Sequence, residues 1–413
     1  MLLVQPCGFL YYFITRIYRL CIKKLTDAWE LRKLGDILLF SVPTNNLSRS
    51  KLNYENGNVK NIHYGDILVK FDSVVCATNS QIPFINEGEI EVKDSYLLRD
   101  GDIVIADTAE DESTGKSVEI YGTLGMKLVS GLHTIVARPK LSFASFYLGY
   151  YMNSWSYHKQ LLPLMQGIKV LSLSKANVAK TKISYPKELV EQQKIGSFFK
   201  YLDELITLHQ RMLDEYKTLK KTMLSKMFPK NSEKYPELRF SGFTDAWELR
   251  KLGEIAKITT GKLDANAMDQ DGIYDFYTSG IKKYHINSYS FEGPAITIAG
   301  NGATVGYMHL ADGKFDAYQR TYVLTDFDGN RQYLFENIGL KLPKKIKQES
   351  RTGNIPYIVL DMLTKLLIDY PSINEQQKIG SFFKYLDELI TLHQRELELL
   401  KTLKKTMLQQ MFV

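Results

Sequence analysis

The chain has 413 residues, with 53 Lys plus Arg against 46 Asp plus Glu, a formal charge of +7 that suits a basic face and excludes a histone-like tail. At roughly 100–200 residues per domain it holds two or three domains, and 44% hydrophobic with 24% charged residues supports packed cores over long disorder. Its three cysteines (Cys7, Cys21, Cys76) have no metal-ligand spacing, which excludes a disulfide framework and a structural zinc site and fits a reducing, cytoplasmic setting.

At the N-terminus, Leu2 to Thr15 is largely apolar. Arg16 and Arg19 interrupt it before the roughly 20 residues a spanning helix needs. The charges follow the apolar stretch, which argues against a signal peptide. Residues 1–25 read as an atypical leader, non-essential or replaced, with a buried helix and a membrane anchor as the alternatives.

The next element is one of a pair. Thr26-Asp-Ala-Trp-Glu-Leu-Arg-Lys-Leu-Gly35 recurs unchanged as Thr244 to Gly253, and Glu191 to Arg211 recurs unchanged as Glu375 to Arg395. The offsets are 218 and 184, so the intervening stretches differ in length, and they differ in sequence almost throughout. Two near-identical frames therefore carry two unlike heads, which suggests that the heads bind different things at a fixed separation.

Head 1 lies within residues 26–190. Asp66 to Lys70, Asp102 to Ala106 and His133 to Ala137 are predicted strands. Ser142 to Met152 is predicted to open a helix with Ser142 as its cap.

The first long helix is predicted over residues 191–228, stopped by Pro229 and roughly 55 Å long at 1.5 Å per residue. Ile195, Phe199, Leu202 and Ile206 begin an apolar stripe spaced by three and four, which Phe198, Leu205, Leu208 and Leu219 widen. Gly196 sits inside the helix at a cost of about 1 kcal/mol, suggesting close approach of a neighbouring backbone.

A linker, residues 229–243, leads to head 2 at 244–374. There Phe276 to Thr278, Ala295 to Ala299 and Thr321 to Thr325 are predicted strands, and Gln332 to about Gly339 a helix. The basic run Lys341 to Arg351, which includes Lys344 and Lys345, is either a solvated face or a phosphate clamp. The second long helix, residues 375–413, repeats the stripe with Ile379, Phe383, Leu386 and Ile390 and the glycine with Gly380. Ser372 and Glu375 have capping-box spacing before it. Two matching helices pack most economically on each other as an antiparallel coiled coil, and the surplus apolar width is a candidate docking surface for another subunit. His209 and His393 read as packed or surface imidazoles.

Catalytic motifs fail on inspection. Gly300-Asn-Gly-Ala-Thr-Val-Gly306 has its third glycine one residue late for a dinucleotide loop and precedes a strand-like run, so a hairpin is expected. Thr114-Gly-Lys-Ser117 ends like a P-loop, yet Glu110 stands where the opening glycine belongs. No Asn-Pro-Pro-Tyr or Asp-Pro-Pro-Tyr run of the kind used by amino-methyltransferases occurs. Asn79, Lys116 and His133 in head 1, and Asn301, Tyr318, Gln319 and Arg320 in head 2, are side-chain types that read base edges. Taken singly, each is more often structural.

The sequence from about Thr26 to Phe412 resembles the specificity subunits of type I restriction–modification enzymes. The resemblance rests on Glu191-Gln-Gln-Lys-Ile-Gly196 and its repeat, each after a head ending in Tyr-Pro, and on Pro236 to Phe243 before Trp247. Gly300 to Gly306 with Ala317 to Tyr322 resembles one class of target-recognition domain. The resemblance implies an α+β fold, with two mixed-β target-recognition domains separated by the two long helices. Each domain would read half of a split, asymmetric double-stranded DNA site. The helices would set the gap and recruit two methyltransferase (M) subunits and, through them, two restriction (R) subunits. The chain itself would catalyse nothing; S-adenosylmethionine, ATP and Mg²⁺ would belong to its partners, and no membrane is expected. In place of Pro236 to Phe243, the first unit has Cys21 to Leu25 and the leader, so the anchoring of head 1 is expected to differ. The alternatives are a single-chain nuclease or methyltransferase with duplicated DNA-binding heads, and a DNA-free assembly scaffold.

Overall fold

The computed structural model describes residues 29–230, 233–349 and 356–412; the leader and Arg351 lie outside the described residues. The chain divides into two compact units, Met1–Gln210 with Arg395–Val413, and Arg211–Gln394. Four helices organise them: α1 (Tyr147–Met152), α2 (Leu189–Lys226), α3 (Arg331–Glu349) and α4 (Ile373–Gln410).

In the first unit, a five-stranded sheet runs Leu38–Leu39, Thr134–Pro139, Ile103–Ala106, Ser117–Tyr121 and Val74–Cys76 in spatial order, with only the last pair parallel. Successive side chains of a strand leave on opposite faces. Ile103 and Ile105 accordingly enter the core shared with α1 and the long helices, while Val104 and Ala106 enter a second core. Both faces are covered, which is why the strand reads as an unbroken apolar run. Ile62 and Leu128, from a four-stranded mixed sheet, help fill the second core.

Two local expectations are corrected here. Asp66 to Lys70 is not a strand, because Tyr64–Val69 is helical and the His63 ring accepts the Gly65 N–H at 3.2 Å as its cap. Ser142 does not cap α1, which begins at Tyr147. Instead Glu119, on the neighbouring strand, accepts the N–H groups of Phe146 at 2.6 Å and Gly149 at 2.9 Å. A carboxylate at a helix N-terminus does the work a Ser hydroxyl would have done.

In the second unit, Lys257–Thr260, Thr321–Thr325, Ala295–Ala299 and Met308–Ala311 form an antiparallel sheet. A mixed sheet of Tyr284–Ile286, Tyr274–Tyr277, Lys314–Ala317 and Phe291–Glu292 accompanies it. Gly300 to Gly306 turns the expected hairpin, with Gly302 and Gly306 at φ of 86° and 83° where a side chain is disfavoured. The helix expected to end near Gly339 continues through Pro343 to Glu349, held by buried Leu342 and Ile346, so most of the basic run is helical.

The repeated decapeptide has the same job in each unit. Glu30–Lys33 pairs antiparallel with Lys182–Tyr185, and Glu248–Lys251 pairs antiparallel with Leu367–Tyr370. Each ribbon ties the entry of a head to its exit immediately before a long helix. Within each unit the two helix segments run antiparallel. Phe199 meets Phe412 at 5.6 Å and His209 meets Glu396 at 3.1 Å in the first; Phe228 meets Phe383 at 6.1 Å and Tyr216 stacks on His393 at 5.5 Å in the second. Among the described residues, no helix is long and apolar enough to cross a membrane.

Candidate nucleic-acid interface and the helix joints

Each head is fastened to its helix segments by the same joint. In unit 1, the buried Gln192 donates to the Pro186 carbonyl at 2.8 Å and accepts the Ala144 N–H at 3.0 Å. In unit 2, Gln376 does the same with Pro371 at 2.9 Å and Asn330 at 3.0 Å. Tyr147 and Tyr333, one per head, donate to the Ser184 and Asp369 carbonyls at 3.3 and 2.7 Å. A Cβ on Gly196 would lie 2.7 Å from the Ser145 carbonyl, and one on Gly380 would lie 2.4 Å from Asn330 Oδ1. Both helical glycines thus admit a head, as the sequence suggested.

The apolar stripe lies in these joints. Ile195, Phe199 and Leu202 are buried in the head-1 core, with Ile206 half-buried against it; Ile379, Phe383 and Leu386 are buried in the head-2 core, with Ile390 half-buried. The heads therefore cover these eight positions, and Phe198 and Leu205 of the wider stripe pack against the head-1 core. Leu208 and Leu219 remain exposed.

Charge follows the repeat too. Lys220 pairs with Asp387 at 2.7 Å and Glu336 at 3.2 Å. Its equivalent Lys404 pairs with Asp203 and, at 3.5 Å, with Asp72. Burial pushes the Asp203 and Glu336 carboxyls up, and the two ammonium groups oppose it. The joints diverge at one place. Trp29 donates to Glu191 at 3.2 Å, whereas Glu375 is held bidentately by Arg239 at 2.7 and 2.8 Å. The Trp247 N–H is buried without a partner among the described residues. Arg239 belongs to the Pro236 to Phe243 segment absent from the first unit, and its claim on Glu375 replaces the expected capping box.

The base-reading candidates separate into three groups. In head 2, Asn301, Tyr318, Gln319 and Arg320 come together: the Gly300 N–H donates to the Arg320 carbonyl at 2.9 Å, and Ser279 donates to Asn301 at 2.8 Å. Gln319 is tethered to Asp264 at 2.8 Å, and Arg320 is exposed with no ion pair among the described residues. In head 1, His133 is exposed at φ 53°, with its ring 3.5 Å from Asp107 and edge-on to Tyr64. Asn79 braces a turn, accepting the Gln81 N–H at 2.9 Å. Lys116 points inward to the Leu68 carbonyl at 3.0 Å, and burial lowers its pKa.

Lys344 and Lys345 sit on α3, where Lys345 pairs with Glu349 at 2.6 Å. Lys344 is exposed beside an apolar groove of about 510 Å³ with Leu224, Phe228 and Leu340. Lys344 lies two positions before Ile346, whose side chain would meet a Cβ on Gly306 at 2.8 Å, so Lys344 projects from the opposite face. Lys344 therefore faces away from the hairpin that carries Asn301.

Residues not singled out in the sequence complete the surface. Lys282 and Lys283 are exposed on the loop that brings Ser279 to Asn301, with Lys282 5.4 Å from the Tyr284 ring. In head 1, Arg49 and Lys70 both bind the Tyr54 hydroxyl, at 3.2 and 2.6 Å, above the buried Asp66. Basic and aromatic residues interleaved in a turn, as in Gly280-Ile-Lys-Lys-Tyr284, were a legible signal for the first set. Arg49, Tyr54 and Lys70 are too far apart in the chain to give one.

The model of the type I restriction modification DNA specificity domain matches the chain twice, over residues 26–218 and 244–402. A type I restriction enzyme EcoDI specificity subunit from Escherichia coli is 40% identical over 134 residues, 32% of this chain and 30% of that protein. A putative type I restriction enzyme MjaX specificity subunit from Methanocaldococcus jannaschii is 22% identical over 412 residues, 93% of this chain and 92% of that one. The fold matches the crystal structure of a type I restriction–modification S subunit from M. genitalium with a TM-score of 0.65 at 15% identity, over 95% of this chain and 98% of that one. The chain belongs to the type I restriction–modification specificity family.

Proposed function

We propose that the chain is the DNA-reading subunit of a type I restriction–modification complex, each head reading one half of a split, asymmetric duplex site. The helices set the gap between the halves and recruit two methyltransferase and two restriction subunits in the cytoplasm. Catalysis, with S-adenosylmethionine, ATP and Mg²⁺, belongs to those partners. The observation that carries this reading is that near-identical joints, down to Gln192 and Gln376, hold two heads of almost wholly different sequence and different length. A frame kept constant under heads that differ is what exchangeable readers at a fixed spacing require.

Replacing Glu254 to Asn374 with the corresponding stretch of another specificity subunit tests it. Methylated adenines mapped across the genome of cells carrying this chain and its methyltransferase should change in one half of the site only. A change in both halves refutes the reading. Metal- or S-adenosylmethionine-dependent turnover by the pure chain would favour a duplicated nuclease or methyltransferase.

A further inference from the structure

The two heads share one backbone corner. In head 1, Thr134 pairs with Ala106, and the Asp107 N–H beyond that pair donates to the His133 carbonyl at 3.1 Å. In head 2, Thr321 pairs with Ala299, and the Gly300 N–H donates to the Arg320 carbonyl at 2.9 Å. A third segment crosses each corner. The Leu173 N–H reaches the Asp107 carbonyl at 2.8 Å, and the Ile358 N–H reaches the Gly300 carbonyl at 2.7 Å. Ser172 then pairs with Thr108, and Tyr357 with Asn301.

These hydrogen bonds superpose the corners residue by residue. His133 corresponds to Arg320, Asp107 to Gly300, Thr108 to Asn301 and Ser172 to Tyr357. Each pair differs in chemistry, although the joints below are nearly the same. His133, Arg320, Ser172 and Tyr357 are exposed, and Thr108 and Asn301 half-exposed. The head-2 corner offers donors and a stacking ring. It has no room for an acceptor at Gly300, since a Cβ there would lie 2.3 Å from the Arg320 carbonyl. The head-1 corner offers the Asp107 carboxylate, which accepts from Thr108 at 2.8 Å.

We infer that this corner is the specificity-determining element of each head, Arg320 selecting a guanine and Asp107 selecting a base that presents an amino group. The inference rests on the function proposed above. A guanidinium pairs bidentately with guanine O6 and N7, whereas a carboxylate accepts from cytosine N4 or an adenine amino group. Arg320 stands where head 1 has His133, and Asp107 where head 2 has Gly300, neighbouring positions of one shared corner, so the heads differ in the base they accept and not in the element that reads it.

The test is enrichment from a pool of duplexes randomised across the site, using the full chain with its methyltransferase subunits, at two salt concentrations. Arg320→His and Arg320→Lys should each lose about tenfold or more of guanine preference at one position of one half-site. Asp107→Asn should alter the preference at one position of the other half-site. Both positions are at the surface, and unchanged melting temperatures establish that the variants fold. If Arg320→Lys keeps full selectivity, or if Arg320→His weakens all sequences equally, Arg320 binds phosphate and the inference falls while the proposed function stands. If the native complex enriches no sequence, both fall.

Discussion

Gly196 of α2 lies directly against the Ser145 carbonyl, so close that a Cβ would stand 2.7 Å from the oxygen and 3.0 Å from the Tyr147 nitrogen. Helix propensity alone says that Gly196→Ala should gain about 1 kcal/mol. The joint reverses that sign: backbone cannot swing aside as a flexible side chain would, and α2 must move off head 1. We expect Gly196→Ala to lower stability by about 1–3 kcal/mol in urea denaturation. Gly380→Ala should cost less at the other joint, because the first atom in its way is the Asn330 side-chain oxygen, with the Tyr333 nitrogen at 3.1 Å behind it. A gain in stability for either would show that the head is not seated on the glycine.

Lys220 joins α2 to both α3 and α4 through Glu336 and Asp387. Removing the ammonium leaves a buried carboxylate facing a second one. Loss of one partner of a buried pair costs about 3 kcal/mol or more, and the partial exposure of Asp387 places Lys220→Ala at the lower end. Denaturation midpoints should fall for Lys220→Ala, and much less when Glu336→Gln and Asp387→Asn accompany it.

Glu119 gives head 1 a pH response. Burial pushes its carboxyl up from 4.5 to about 7, against the opposing effect of the Gly149 and Phe146 N–H groups. A carboxyl whose folded pKa is raised contributes stability that is present below its unfolded pKa and lost as pH rises through the folded one. The shift from 4.5 to about 7, at 1.36 kcal/mol per unit, corresponds to about 3 kcal/mol lost across that window. The native chain should therefore lose stability relative to Glu119→Gln as pH rises from 5 to 8. Parallel melting curves across that range would contradict it.

The long helices, their glycines, the antiparallel arrangement and the strands Ile103–Ala106 and Ala295–Ala299 were legible in the sequence. They follow from local period, repeat and turn chemistry. Asp66 to Lys70 was not, because a three-residue apolar run, Ile67 to Val69, fits strand or helix and the His63 cap decides it. Nor was the fate of Lys116, whose partner is a carbonyl 48 positions away.

Sequence alone determined that two equal frames carry two unlike heads, because covalent repetition is visible without coordinates. Tertiary structure decided which side of the apolar stripe each head covers, and that Arg239 rather than Ser372 answers Glu375. It also decided that His133 and Arg320 hold one position. Their equivalence is written in hydrogen bonds between strands distant in the chain, and no local pattern encodes which backbone groups meet when a sheet closes.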